Sequence, residues 1–268
     1  MSPVPGGPAA AQAQAQSTFP PLMRVGLDAP LRWVRAGVRD LVAAPGASLF
    51  YGGAFALAGW LIYFVFRFSY AVAYGMTWGF LLVGPYLATG LYDISRRLEA
   101  GERVRLVPTL TAWRVNVGGF SVFSIVLTVL MLLWSRASLI VFALYFSTGL
   151  PSLDDLLGKT LSLEHWDFVL TYFTIGAVFA QIAFSISVVS IPMMMDRHTD
   201  AIVAAITSVR SMIENPAPLL LWALIIVLLI GAGFATGFIG LVVAVPVVGH
   251  ATWHAYRDLV GPGENLSA

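Results

Sequence analysis

From Pro216 to Tyr256 the chain carries no Asp, Glu, Lys or Arg. Two apolar runs, Leu219–Ala235 and Phe238–His254, fill most of this stretch and meet at the tight turn "ATG", Ala235 to Gly237. A helix that crosses a bilayer needs about 20 mostly apolar residues, so the stretch reads as a helical hairpin through a membrane. Composition extends the reading to the whole chain. Only 11% of the 268 residues are charged and 58% are hydrophobic, whereas a soluble domain carries about 25% charged residues. So few charges cannot cover a water-facing surface, and the excess apolar length must face lipid.

Four more runs qualify by length: Ser48–Phe66, Ala71–Tyr92, a run from near Gly118 to Trp134 that can continue through "SLIVFALYF" to Phe146, and Phe168–Met195. The expected fold is therefore an all-α, polytopic helical membrane bundle with about six transmembrane helices. Residues 1–21, free of charge and rich in Pro, Gly, Ala and Gln, read as a disordered tail. They lack the basic start and apolar run of a signal peptide, so the first span is expected to be an uncleaved anchor. Residues 22–260 form one membrane domain, and 261–268 a short C-terminal tail.

Arginine placement sets the expected orientation. Arg24, Arg32, Arg35 and Arg39 precede the first run; Arg96, Arg97, Arg103, Arg105 and Arg114 lie between the second and third; Arg197, Arg210 and Arg257 complete the same side. The other side holds Arg67, Arg136 and Lys159 among Asp154, Asp155, Glu164 and Asp167. Basic residues concentrate on the cytoplasmic side of membrane proteins, which places both termini in the cytoplasm. Arg32, Arg35, Arg39, Arg96 and Arg97 serve this topology or contact anionic lipid. Trp60, Trp134 and Trp166 fall near the outer interface, and Trp33, Trp113 and Trp253 near the inner one, as an aromatic belt. A net charge of +1 gives no sign of a nucleic-acid partner.

The chain also repeats. Before each odd-numbered run comes an amphipathic stretch ending in a break. Leu31, Val34, Val38 and Leu41 share one face of the first, opposite Arg32, Arg35 and Arg39, with Asp28 as cap and Pro30 in the first turn. Ile202, Ile206, Val209 and Ile213 share a face before the fifth run, and "PTLTAWRVNVGG" is a shorter version before the third. Such helices lie in the headgroup plane. Each even run has a late proline, Pro85, Pro192 or Pro246. Three two-helix units, each with an interfacial helix, follow from this pattern.

Few residues suggest chemistry. There is no cysteine, so disulfides and thiolate sites are absent. The apolar cores hold no Asp, Glu or Lys, and Gln181 is their main polar group; ion-coupled transport needs ionisable groups at that depth. His250 and His254, four residues apart, share a helix face. Four histidines are too few for a haem–copper oxidase core, and "HATWH" lacks the glutamate of a zinc protease. A metal site of His250, His254, Asp93 and His198, with Asp196 near, would have ligands suited to zinc; the competing reading is that polar groups gather where helices leave the bilayer. Asp93 is expected to pair with Arg96 or Arg97. Arg136 needs a partner, Asp167 or Glu164, if the third helix continues past it. Gly75 with Gly79 and Gly233 with Gly237 have the small-residue spacing of close helix packing within the chain.

The stretches "LLVGPYLATGLYDISRRLEAGE", "SVVSIPMMMDRHTDAIVAAITSVRSMIENPAPLLLWALI" and "GHATWHAYRDLV" resemble the family of predicted bacterial integral membrane proteins called domain of unknown function 2189, over about Arg35 to Val260. The resemblance implies a bacterial inner-membrane protein of about six helices and no reaction, cofactor or catalytic residue. The leading functional reading is a non-enzymatic accessory, assembly or scaffold subunit whose partners are the lipid bilayer and another membrane subunit. The alternatives are a passive transporter or channel for a neutral or lipid-like solute, and a metal-handling membrane protein. The topology has a direct check: a reporter fused after Ala268 should be active in its cytoplasmic form and silent in its periplasmic form, and the reverse outcome would invert the whole arrangement.

Overall fold

A computed structural model of the chain describes residues 19–146 and 166–261. Residues 1–18 of the tail expected over 1–21, the end of the C-terminal tail and the acidic outer loop with Asp154, Asp155, Lys159 and Glu164 lie outside the described residues. Within them the chain is helical, and strand pairing is limited to one antiparallel bridge, Leu22 with Val260. In order, the elements are α1 (Ala29–Ala43), α2 (Pro45–Phe66), α3 (Tyr70–Glu99), the short α4 (Leu106–Thr109), a 3-10 turn (Ala112–Asn116), α5 (Val117–Tyr145), α6 (Trp166–Ser187), α7 (Ser190–Arg197), α8 (Ala201–Glu214), α9 (Pro216–Ala235) and α10 (Leu241–Leu259).

Local chemistry explains the boundaries. Ser69 accepts the Val72 N–H at the start of α3, Asn116 accepts the Gly119 N–H at the start of α5, and Asp200 accepts from Ile202 and Val203 ahead of α8. These side chains satisfy donors that the first helical turn leaves free. Asp28 does not cap α1 as expected: its backbone is helical and its carboxylate pairs with Arg32 instead. Pro85 and Pro246 sit inside unbroken helices, whereas the run expected from Phe168 to Met195 divides at Val188–Val189 into α6 and α7. Pro192 falls in the first turn of α7, where its missing N–H has no helical partner in any case. Ser208, fully buried on α8, bridges the gap by donating to the Ser185 carbonyl and accepting from the Val189 N–H.

Four stretches are long and apolar enough to cross a membrane: Pro45–Phe66, Leu106–Tyr145, Trp166–Arg197 and Pro216–Ala235. Of the six runs expected, these four stretches match the first, third, fourth and fifth; the second and sixth, which fall in α3 and α10, are not among them. In α10, only 19 residues long, the His250–His254 pair and Arg257 lie within the helix itself. α10 is packed against α1, α2, α3 and α9, so neighbouring protein rather than lipid surrounds much of it. The rest of the exposure pattern is inverted relative to a soluble protein. Leu57, Phe64, Leu132, Ile140, Leu224 and Val227 are exposed, while Ser48, Thr89, Ser95, Ser208 and Ser211 are buried. A bilayer accepts the first set and cannot solvate the second.

Close approach depends on glycine at two places on α10. A Cβ on Gly37 would come within 2.6 Å of the Val247 carbonyl, and one on Gly52 within 2.0 Å of the Val242 carbonyl. Gly233 likewise lies against Leu241, as its spacing suggested, but Gly75 and Gly79 meet no atom within 4 Å and do not serve packing within the chain. Two tryptophans expected in the inner belt are core residues: Trp33 donates to Asp258 and Trp253 to Glu99, and both are 1% exposed. Trp60 and Trp166 are exposed as expected. α5 does run past Arg136 to Tyr145; Arg136 is exposed and makes no ion pair with Asp167. At about 1.5 Å per residue from Val117 it lies roughly 28 Å along the helix, close enough to the far interface to reach headgroups.

The glycine contacts make a measurable distinction. Gly52→Ala should destabilise by roughly 1–3 kcal/mol through overpacking and lower the thermal aggregation midpoint in detergent. Gly53→Ala, which faces open space, should leave it unchanged or raised.

Candidate functional site: a buried histidine cluster

The residues singled out in sequence come to the charged end of the bundle, but not to one point. His250 is fully buried, with Nε2 2.9 Å from Ser48 Oγ and Nδ1 2.8 Å from Ser95 Oγ. His254, one turn on, places Nε2 2.8 Å from Asp40 Oδ2. Asp40, on the buried side of α1, also receives a hydrogen bond from Ser95. Five side chains from α1, α2, α3 and α10 thus form one connected chain.

A carboxylate only accepts, so His254 Nε2–H donates to Asp40. The two ring nitrogens of His250 are each met by a serine hydroxyl, Ser48 and Ser95, which can donate or accept. The set contains Ser, His and Asp, yet it does not have the order of a nucleophilic triad. In a triad the carboxylate orients the imidazole that takes the serine proton; here the carboxylate bonds to His254 while the serines meet His250, and every member except His254 is buried.

The other candidates are engaged elsewhere. Asp93, 3% exposed, accepts from Arg96 at 2.6 Å and Arg97 at 2.7 Å, as its spacing suggested. Asp196 accepts from Tyr256 Oη at 2.6 Å, and Arg197 donates to the same hydroxyl at 2.9 Å. His198 is at the left-handed end of α7, facing the Val115 carbonyl at 3.4 Å. His250, His254, Asp93 and His198 are therefore not brought together, and among the described residues no group of three or more His, Asp or Glu side chains is placed to share a metal ion. Of the five arginines expected at lipid or topology positions, Arg32, Arg96 and Arg97 pair with carboxylates, while Arg35 and Arg39 make no ion pair among the described residues.

Asp40, Ser48 and Ser95 were not anticipated. The legible signal was a third face on α1: Trp33, Gly37 and Asp40 follow at spacings of four and three, and that face is the one buried against α10. Burial by itself would raise the Asp40 pKa, but hydrogen bonds from His254 and Ser95, with the charge of the two histidines, outweigh it and hold the carboxyl below its ordinary value of 3.8.

A group depressed in this way contributes stability that is fully present above its unfolded pKa and is lost as the pH falls through the folded value. Wild-type protein should therefore lose stability below about pH 4 by a route that Asp40→Asn lacks. The variant should itself be less stable at pH 7 by about 1–3 kcal/mol, read from thermal melts across a pH series.

No curated protein and no solved structure matches the chain. A family model does: the one described as Predicted integral membrane protein (DUF2189) matches residues 72–196, from α3 through most of α7. That segment contains Asp93, Ser95 and Asp196 but neither His250 nor Asp40, and it is narrower than the span over which the resemblance was read. Across residues 72–196, the chain is similar to this family of predicted integral membrane proteins.

Proposed function

We propose that the chain is a non-enzymatic bacterial inner-membrane protein that crosses the bilayer six times, keeps both termini in the cytoplasm, and acts as an accessory or assembly subunit. The observation that carries this reading is the mutual engagement of its reactive groups. His250, His254, Ser48, Ser95 and Asp40 at the charged end are engaged with one another, and among the described residues none of these five lines the cavity in this half of the bundle. What this end offers outward is a rim of free arginines and exposed aliphatic side chains, among them Leu31, Val38 and Val42 on α1 and Ile202, Ile206 and Ile213 on α8.

The six-span, three-unit architecture has support in the junctions between surface helix and span. Ala44, Asn116 and Asn215 occupy the three breaks with nearly the same backbone, φ/ψ of −134/58, −152/59 and −132/54. Four residues after each stands a buried side chain, Ser48, Phe120 or Leu219, and seven after each another, Tyr51, Phe123 or Trp222. Before the first and third junctions the match continues: Trp33, Gly37 and Asp40 are buried at the positions that Ala204, Ser208 and Ser211 hold in α8. One repeated corner, read three times, favours three units and hence spans at α3 and α10 as well. α10 is rendered more polar than a lone span because it carries the cluster that joins the first unit to the third.

A photo-crosslinking residue at Val42 or Ile213 in growing cells tests the role. A discrete adduct with another membrane protein, absent when the residue is placed at Phe64 near the other end of the bundle, is the expected result. Adducts with lipid alone, together with glycerol uptake by proteoliposomes of the purified protein, would replace this reading with passive transport.

A further inference from the structure

A cavity of about 310 Å³ opens on the charged half of the bundle, away from the histidine cluster. Val83, Tyr86 and Leu87 of α3 form one wall, and Thr109, Leu110 and Trp113 of the connection to α5 form the other, with Tyr51 between them. The wall has hydroxyls but presents none of them free. Thr109 donates to the Leu106 carbonyl, so the Tyr51 hydroxyl, 3.0 Å away, donates to Thr109; Tyr86 bonds to Ser121 at 2.9 Å. The lining is thus apolar in effect, and the space matches about ten water-sized groups at roughly 30 Å³ each, or a similar number of methylenes. Val83 and Leu110 are both exposed, so the cavity opens sideways towards lipid.

Its face continues along α3. Gly79 and Gly75 share the helical face of Val83 and Tyr86, and a side chain added at either glycine would meet nothing within 4 Å. From Tyr86 to Gly75 this open, small-residue face extends about 16 Å at 1.5 Å per residue, close to the length of an acyl chain.

Charge at the mouth is one-signed. Arg103, Arg105 and Arg114 are exposed and make no ion pair among the described residues, whereas Arg96 and Arg97, earlier on α3, are neutralised by Asp93 and Glu102. Arg105 immediately precedes α4, which supplies Thr109, and the Arg114 guanidinium lies 5.5 Å from the Trp113 ring that lines the cavity. An apolar slot of acyl length beneath unpaired guanidinium groups is complementary to one ligand in particular. We infer that the cavity and the Gly79–Gly75 face hold one acyl chain of an anionic phospholipid from the cytoplasmic leaflet, with Arg105 and Arg114 on its headgroup. This inference goes beyond the accessory role and does not depend on it.

Native mass spectrometry of the full chain, released from detergent after equilibration with equal palmitoyl-oleoyl phosphatidylglycerol and phosphatidylcholine, tests the site. Wild type should retain one phospholipid with phosphatidylglycerol preferred. Arg105→Gln and Arg114→Gln should each reduce that preference about fivefold, while Arg67→Gln with Arg136→Gln, exposed at the other end of the bundle, leaves it intact. Val83→Trp, a change at an exposed position that fills the slot from outside, should remove the retained lipid of either kind. An unchanged headgroup preference in the Arg105 and Arg114 variants, or unchanged retention in Val83→Trp, would overturn the assignment.

Discussion

Hydrocarbon supplies no hydrogen bonds, so every polar group carried into the bundle needs a partner inside it. His250 is the sharpest instance. It sits on α10 with protein on all sides, and both of its nitrogens are met by serines from different helices, Ser48 on α2 and Ser95 on α3. Asp40 then brings in α1 and, through His254, returns to α10. The polar chain therefore ties a surface helix to three helices of the bundle. Breaking one link leaves a buried donor or acceptor unpaired, which costs more than the bond itself contributes.

The same requirement shapes the surface helices. α1 was expected to have two faces, aliphatic and basic, with the aliphatic face in the membrane. It has three. The Trp33–Gly37–Asp40 face is buried against α10, and Leu31 and Val38 stay exposed alongside the arginines. α8 follows the same plan with smaller side chains: Ala204, Ser208 and Ser211 face inward while Ile202, Ile206 and Ile213 face outward. A helix lying in the headgroup plane of a folded bundle meets lipid, water and protein at once, and needs a separate chemistry for each.

Other connections close the charged end. Asn215, at the third junction, accepts the Val25 N–H and donates to the Met23 carbonyl, which draws the segment before α1 across the bundle to bridge with Val260. Arg257 and Trp253 reach Glu99 at the tail of α3. Arg32, Arg96, Arg97, Arg210 and Arg257 pair with carboxylates at or near helix ends, and Arg197 bonds to the Tyr256 hydroxyl. Arg103, Arg105 and Arg114 stand apart from these pairings, and they stand beside the apolar cavity.

Sequence determined much of this protein: its helical membrane class, four of its apolar runs, the Asp93 pairings and the breaks between surface helix and span, which fall at Ala44, Asn116 and Asn215. All of these rest on local composition and spacing, which act between residues close in the chain. The partners of His250 and His254 were decided only by tertiary structure. Asp40 and Ser48 lie more than 200 positions from them, and nothing local separates a histidine that binds a metal from one that closes a hydrogen-bond chain. The same holds for Trp33 and Trp253, which periodicity assigned to the lipid belt and packing placed in the core. It holds too for Gly75 and Gly79, whose spacing suits helix contact but whose face is left open. Long-range packing selects which of several chemically acceptable neighbours a side chain receives, and that selection is not encoded in any one segment.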